Sequence, residues 1–143
     1  MLFVAPAVNA IVEALSSAHA DGPVAVVGDA KLASGLAKHA SVIAIGVSER
    51  AAKKLSDARA DFSAVDDGSL AAIVGVDVAT DDAWETLLRE WTKRARDGAV
   101  IIFVDRGHAA EASRRALCSG LSELEQRHAG RLVITSGLVS RFA

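Results

Sequence analysis

The chain reads as an α/β protein of three layers: a doubly wound, mostly parallel sheet with helices on both faces. Two features of its pattern say so. Short apolar runs recur without polar alternation, as strands covered on both faces require. Between them lie stretches with apolar residues at helical spacing. Strands alternating with helices of this length imply right-handed crossovers and a parallel sheet. The last segment is expected to add a short antiparallel strand or hairpin.

The elements follow in order. Val8, Ile11, Val12 and Leu15 stand at i, i+3, i+4 and i+7, one apolar stripe on a helix from about Ala7 to Ala18. Asp21-Gly22-Pro23 turns the chain. Val24–Val27 reads as a buried strand, and Lys31–Lys38 as a short helix carrying Leu32 and Leu36. Val42–Ile45 is a second strand, followed by a helix over Glu49–Ala58 with Leu55 as its anchor. Phe62–Val65 gives a third, weaker strand, and Leu70–Val76 a fourth. Asp82 and Glu85 have the spacing of a capping box. Behind them Trp84, Leu87, Leu88, Trp91 and Ala95 trace a helical face that Asp97-Gly98 ends. Ala99–Val104 is the most apolar strand, and Glu111–His128 reads as a helix with Leu117, Leu121 and Leu124 on one side. Leu132–Ile134 and Leu138–Phe142 close the chain, with Thr135-Ser136-Gly137 between them as a hairpin turn or a bend.

The 143 residues fit one domain over 1–143, with residues 1–20 as an N-terminal helical segment. A domain of this size buries roughly 68–70% of its unfolded surface. Aromatics are only 4% of a chain that is 51% hydrophobic, so the core must be aliphatic. Lys and Arg number 16 against 18 Asp and Glu, which argues against nonspecific nucleic-acid binding. A single cysteine, Cys118, excludes an internal disulfide and suits a reducing, cytoplasmic setting. No Lys or Arg precedes the apolar residues Leu2–Val8, so a signal peptide is not expected. No apolar run reaches the ~20 residues a membrane span needs, and no membrane partner is expected.

Ligands of such sheets bind at the carboxyl ends of the strands, near the switch in strand order. The loop after the first strand, Val27-Gly28-Asp29-Ala30-Lys31-Leu32, is therefore the place to look. Together with Ser41–Leu55, Asp66–Val76, Trp84–Val104 and the tail from Arg131 to Phe142, it resembles the class I S-adenosylmethionine-dependent methyltransferases over nearly the whole length. The resemblance implies a minimal methyltransferase-like core. In that family the first loop carries an acid two residues before its first glycine, then glycines at alternate positions. Here Gly28 stands alone, with Val26 in place of the acid and Ala30 and Leu32 in place of later glycines. A leucine there would fill the cofactor's space or send the loop along another path. The family's ribose-binding acid ends the second strand. About 20 residues beyond the glycine loop this chain has Ser48, with Glu49 beside it.

The resemblance implies a cofactor site at Gly28, Asp29 and Ala30, with Glu49 at the ribose and Asp66 or Asp67 near the adenine. Each also has a plain structural role: Gly28 a tight turn, Asp29 and Glu49 acids at helix starts. Asp105, Arg106 and His108 follow the fifth strand, where an aspartate near a histidine suits a general base or simply a polar cap. Trp84 and Trp91 are packing residues, Cys118 is buried filler, and Lys53-Lys54 and Arg114-Arg115 are solvated faces balanced by nearby acids. No pair of histidines has metal-ligand spacing, so no metal is expected. The loss of glycines points to a methyltransferase-like domain that no longer catalyses. It would bind no cofactor and act as a regulatory or structural module on another protein or on itself, a homodimer being the simplest case, through Met1–Val8 and Leu138–Phe142. The alternative is a minimal S-adenosylmethionine-dependent methyltransferase with a divergent loop. A different nucleotide in the same crevice has no phosphate-binding glycine pattern behind it.

Overall fold

The computed structural model describes residues 4–140. Helix α1 (Val4–Ser17) leads into strand β1 (Val24–Val27), and α2 (Ala30–Leu36) crosses to β2 (Val42–Ile45). A single turn, α3 (Glu49–Ala52), precedes the two-residue strand β3 (Ala58–Arg59). Strand β4 (Leu70–Val76), helix α4 (Trp84–Arg94), strand β5 (Ala95–Arg106) and helix α5 (Ala109–Cys118) follow. Strands β6 (Ser122–Ala129) and β7 (Leu132–Leu138) close the sheet. Its order is β3-β2-β1-β4-β5-β7-β6. Pairings from β3 through β5 are parallel, and β7 runs antiparallel to both β5 and β6. This is the doubly wound order 3-2-1-4-5-6 with one reversed strand inserted before the edge.

Successive strand residues point to opposite faces, which divides the core in two. Val24, Val26, Val74, Val100, Ile102 and Val104 pack under α1 and α2. Ala25, Ile73, Ile101 and Phe103 pack under α4 and α5, with Leu88, Trp91, Ala112 and Ala116 above them. Because both faces are covered, the central strands read as unbroken apolar runs, and β1, β2 and β4 fall on the segments their sequences predict.

Six expectations needed correction. The strand expected at Phe62–Val65 is a 3-10 turn at Phe62–Ala64. Asp61 accepts a hydrogen bond from the Ser63 amide at 2.8 Å, which gives the backbone an alternative to a ladder. The helix expected over Glu49–Ala58 stops after one turn, since Leu55 is its one apolar anchor on the core. The Asp82–Glu85 capping box does not form: α4 starts after Ala83 with no side-chain cap, and Asp81 accepts from the Ala83 amide at 2.8 Å in the turn before it. Asp97-Gly98 is not a helix stop but part of a bulge in β5, where the register against β4 jumps between Ala95 and Val100.

The largest correction concerns Glu111–His128. The helix ends at Cys118, Gly120 turns the chain at φ +81°, and residues 122–129 form β6. Leu121 and Leu124 do face the core, but over Gly137 of β7, while Leu117 is 63% exposed. Their helical spacing is an accident of a helix joined to an edge strand. Thr135-Ser136-Gly137, expected as a turn or bend, lies within β7, and Thr135 accepts from the Gln126 side chain at 3.0 Å. The hairpin is real but sits one step earlier, joining β6 to β7 around Gly130. The Leu138–Phe142 segment runs past the described residues, as does Met1–Val8 at its start; Val8 and Val139 are buried in the chain's own core. No helix among the described residues is long and apolar enough to cross a membrane.

Candidate functional site

The strand order reverses between β1 and β4, so the crevice lies above the carboxyl ends of β1, β2, β4 and β5. Its floor starts with Gly28. The Gly28 amide donates to the Ile45 carbonyl at 2.8 Å, which ties the end of β1 to the end of β2. Gly28 has φ +77°, and a Cβ built there would meet no atom within 4 Å. Gly46, the residue immediately after β2, has φ +70°, and its Cβ would lie 3.8 Å from the Ala60 carbonyl oxygen. Two left-handed glycines therefore lay bare backbone side by side at the switch point, where a ligand can approach closely.

Leu32 does not occupy this space. It is fully buried and packs in the core between α1, α2 and the sheet. The reason is local. Asp29 caps α2 and accepts from the Leu32 amide at 2.9 Å, so the helix starts at once and turns Leu32 inward. Neither outcome expected of this leucine, a filled crevice or a loop forced aside from the floor, occurs. Val26 is likewise sealed under α1 and α2.

The six expected site residues do not converge. Gly28, Ala30 and Glu49 lie at the carboxyl edge. Asp29 lies there too, but with one carboxylate oxygen committed to the cap. Glu49 is exposed on the first turn of α3, four residues past the end of β2, while Ser48 caps that turn by accepting from the Ala51 amide at 3.2 Å. The position immediately after β2 holds Gly46 and no acid. Asp66 and Asp67 sit at the other edge. They precede β4, Asp67 pairs with Arg94 at the end of α4 at 2.9 Å, and Gly68 donates to the Lys93 carbonyl. Gly28 follows a residue in register with Gly75, so five residues of β4, roughly 17 Å of strand, separate the two edges. Asp66 and Asp67 are removed from the crevice.

A second cluster lies over β4 and β5. Asp77, Thr80, Asp105, Arg106 and His108 line a pocket of about 260 Å³. Asp105 is 1% exposed. Its Oδ1 accepts from the Ala79 amide at 2.9 Å, and its buried Oδ2 has no partner among the described residues. Burial pushes the Asp105 carboxyl above the usual carboxylate range, with the charge of Asp77 adding to the rise. The Ala79 hydrogen bond, His108 and Arg115 oppose it. Asp77 and His108 are both left-handed, with φ of +56° and +58°, an unusual conformation for non-glycine residues. The Asp77 carboxylate lies 3.7 Å from the Arg106 guanidinium. Asp105, Arg106 and His108 were legible as candidates; Asp77 was missed, although its place directly after a strand was a signal.

The wall of this pocket is braced from α5. Arg115 donates to the Val78 and Asp81 carbonyls at 2.7 and 2.8 Å and lies 5.2 Å from the centroid of the Trp84 ring. Glu111 accepts from Arg114 and Arg115, which lowers its carboxyl to about 2. Arg114-Arg115 is thus an ion-pair and stacking network, and Cys118 is exposed rather than buried.

Asp105 makes stability pH-dependent with a definite sign. The folded state holds this proton more tightly than the unfolded chain does. The Asp105 contribution to stability is therefore fully present below the ordinary carboxylate value, about 3.9, and is lost as pH rises through the raised folded value. Asp105→Asn cannot ionise and still offers an oxygen to Ala79. Its urea midpoint is expected to gain on wild type as pH rises from about 3 to 8. A difference that stays constant over that range would remove the buried, raised carboxyl from the account.

No protein-family model matches the chain, and no curated protein matches its sequence. Solved structures do. A SAM-dependent methyltransferase of Thermotoga maritima aligns with a TM-score of 0.71 at 14% identity, covering 94% of this chain and 89% of that one. The 1,6-didemethyltoxoflavin-N1-methyltransferase of Burkholderia thailandensis, solved with bound S-adenosylhomocysteine, aligns at 0.71 and 12% identity, covering 96% and 80%. A 16S rRNA methyltransferase of T. thermophilus, in complex with AdoMet and guanosine, aligns at 0.62 and 15%, where this chain spans 84% of its own length but 36% of that enzyme. The chain has the class I methyltransferase-like fold.

Proposed function

We propose that this chain is a minimal S-adenosylmethionine-dependent methyltransferase with a divergent cofactor loop. The observation that carries the reading is the bare floor at Gly28, with Leu32 turned into the core. The loop has lost its glycines in sequence but keeps the open backbone that those glycines serve. The cofactor supplies an activated methyl group, and methyl transfer depends mainly on positioning. Gly28 and Gly46 let the ligand approach the backbone, and Glu49 is the acid within reach of the ribose edge. The acceptor's place is the pocket at Asp77, Asp105 and His108. There the exposed His108 imidazole, which lines the same pocket as Asp105, takes the proton that an attacking N–H or O–H group must lose.

Two features of the structure favour this reading over an interaction module. The crevice is open, and among the described residues Leu117 is the one large apolar side chain left exposed. The edge strand β6 carries Glu123, Glu125, Arg127 and His128, which blunt it against pairing.

Calorimetry with S-adenosylhomocysteine tests the proposal. Binding tighter than roughly 100 μM, about −5.5 kcal/mol, is expected, and its absence at millimolar ligand sinks the reading. Glu49→Ala is expected to weaken binding by several-fold. Unchanged affinity in that variant removes Glu49 from the site and leaves the crevice standing.

A further inference from the structure

The ribose edge of the crevice carries more cations than acids. Residues 30–55 carry Lys31, Lys38, Arg50, Lys53 and Lys54 against the single acid Glu49, in a chain whose net charge is −2. Three of these line one pocket. Ala30, Lys31 and Ser34 of α2 and Ser48, Arg50, Ala51, Lys54 and Leu55 around α3 enclose about 370 Å³. Ala30 and Ser48 each stand two residues beyond a bare glycine, Gly28 and Gly46, so the pocket adjoins the crevice floor. Among the described residues, no carboxylate lies within ion-pair distance of Lys31, Arg50 or Lys54. Lys53 and Lys54 are solvated as expected, but neither forms an ion pair among the described residues.

All three border one cavity, so an anion seated there is attracted by each of them. Ser34 and Ser48 add hydroxyl groups to the same lining. In nucleotide-binding sheets the position after the second strand reads the sugar: an acid there holds free ribose hydroxyls, whereas a nearby arginine accommodates a phosphate on the ribose. Here that position is Gly46, with Arg50 four residues on.

We propose that the pocket between α2 and α3 is an anion subsite that receives a phosphoryl group carried on the 2′ or 3′ oxygen of a nucleotide seated over Gly28 and Gly46. A ribose-phosphorylated nucleotide then competes with S-adenosylmethionine for the same floor. The inference rests on the nucleoside-binding reading of the crevice but not on methyl transfer. The cations border one pocket on a chain of net charge −2, which fits a small nucleotide rather than a nucleic-acid backbone.

The test is calorimetry on the whole chain with AMP, adenosine 2′,5′-bisphosphate, adenosine 3′,5′-bisphosphate, S-adenosylhomocysteine and a single-stranded oligoribonucleotide. One bisphosphate is expected to bind at least about tenfold more tightly than AMP. The preference should shrink as salt is raised and vanish in the Lys31→Ala/Arg50→Ala/Lys54→Ala variant. These side chains are exposed, so the variant is expected to fold; Lys54→Glu alone should already lower the preference. Equal affinity for AMP and both bisphosphates, or a preference that survives the triple substitution, overturns the subsite. So does oligoribonucleotide binding without any bisphosphate preference. If S-adenosylhomocysteine binds without a bisphosphate preference, the subsite falls and the cofactor reading stands. If a bisphosphate binds and S-adenosylhomocysteine does not, the subsite stands and the cofactor reading falls. Binding of neither overturns both.

Discussion

Gly75→Ala is expected to destabilise the protein by about 2–3 kcal/mol, although it adds one methyl group to a central strand. Gly75 lies in the middle of the sheet, in register with Val27 of β1 and Phe103 of β5. An alanine Cβ there would lie 2.1 Å from Cη2 of Trp91 and 2.9 Å from its Cζ2. Trp91 is a fully buried ring on α4, held among Leu88, Ile73 and Phe103, so it has nowhere to swing. Either β4 or α4 must shift, and β4 carries Asp77 at its end. Trp91→Ala alone is expected to cost about 3–5 kcal/mol through the cavity it leaves. With the ring gone, the added methyl has room, so Gly75→Ala in that background should be close to neutral. Urea denaturation of the four proteins measures the coupling. Simple additivity would show that the two residues do not meet.

Gly28→Val is the second substitution with a large expected effect, this time on binding. A β-branched residue at φ +77° is an outlier in backbone terms, and its side chain would rise from the crevice floor where nothing now stands. We expect S-adenosylhomocysteine affinity to fall at least about tenfold, 1.4 kcal/mol or more. Leu32→Ala is the companion variant. It should cost about 2–5 kcal/mol of stability as a buried leucine and leave ligand affinity unchanged. Should Leu32→Ala instead tighten ligand binding, the leucine fills the crevice after all and the floor is not open.

How much of this was legible in the sequence varied with the physics of each segment. The central strands were read correctly because burial on both faces forces an unbroken apolar run, and few other local structures need one. The edges were misread because an edge element is selected by few contacts. Residues 122–129 are mostly exposed, so their composition carries little that distinguishes helix from strand. Their partner β7 decides, and no local pattern encodes a partner. The same holds at Phe62–Ala64, where one hydrogen bond from the Ser63 amide to Asp61 outweighs a weak apolar signal.

The candidate site divides in the same way. By itself the chain determined the parallel sheet, its covered faces and the position of Gly28 at the end of the first strand, since these follow from periodicity and turn chemistry. Tertiary structure alone decided what the loop after Gly28 amounts to. Substituted glycines read as erosion, yet the Asp29 cap rotates Leu32 into the core and leaves the floor open. It also moved Asp66 and Asp67 to the far edge and gathered Lys31, Arg50 and Lys54 around one pocket. The reason is that residue type fixes chemistry while side-chain direction depends on where a helix starts. A start displaced by one residue turns a side chain by about 100° around the axis, and that rotation separates a blocked crevice from an open one.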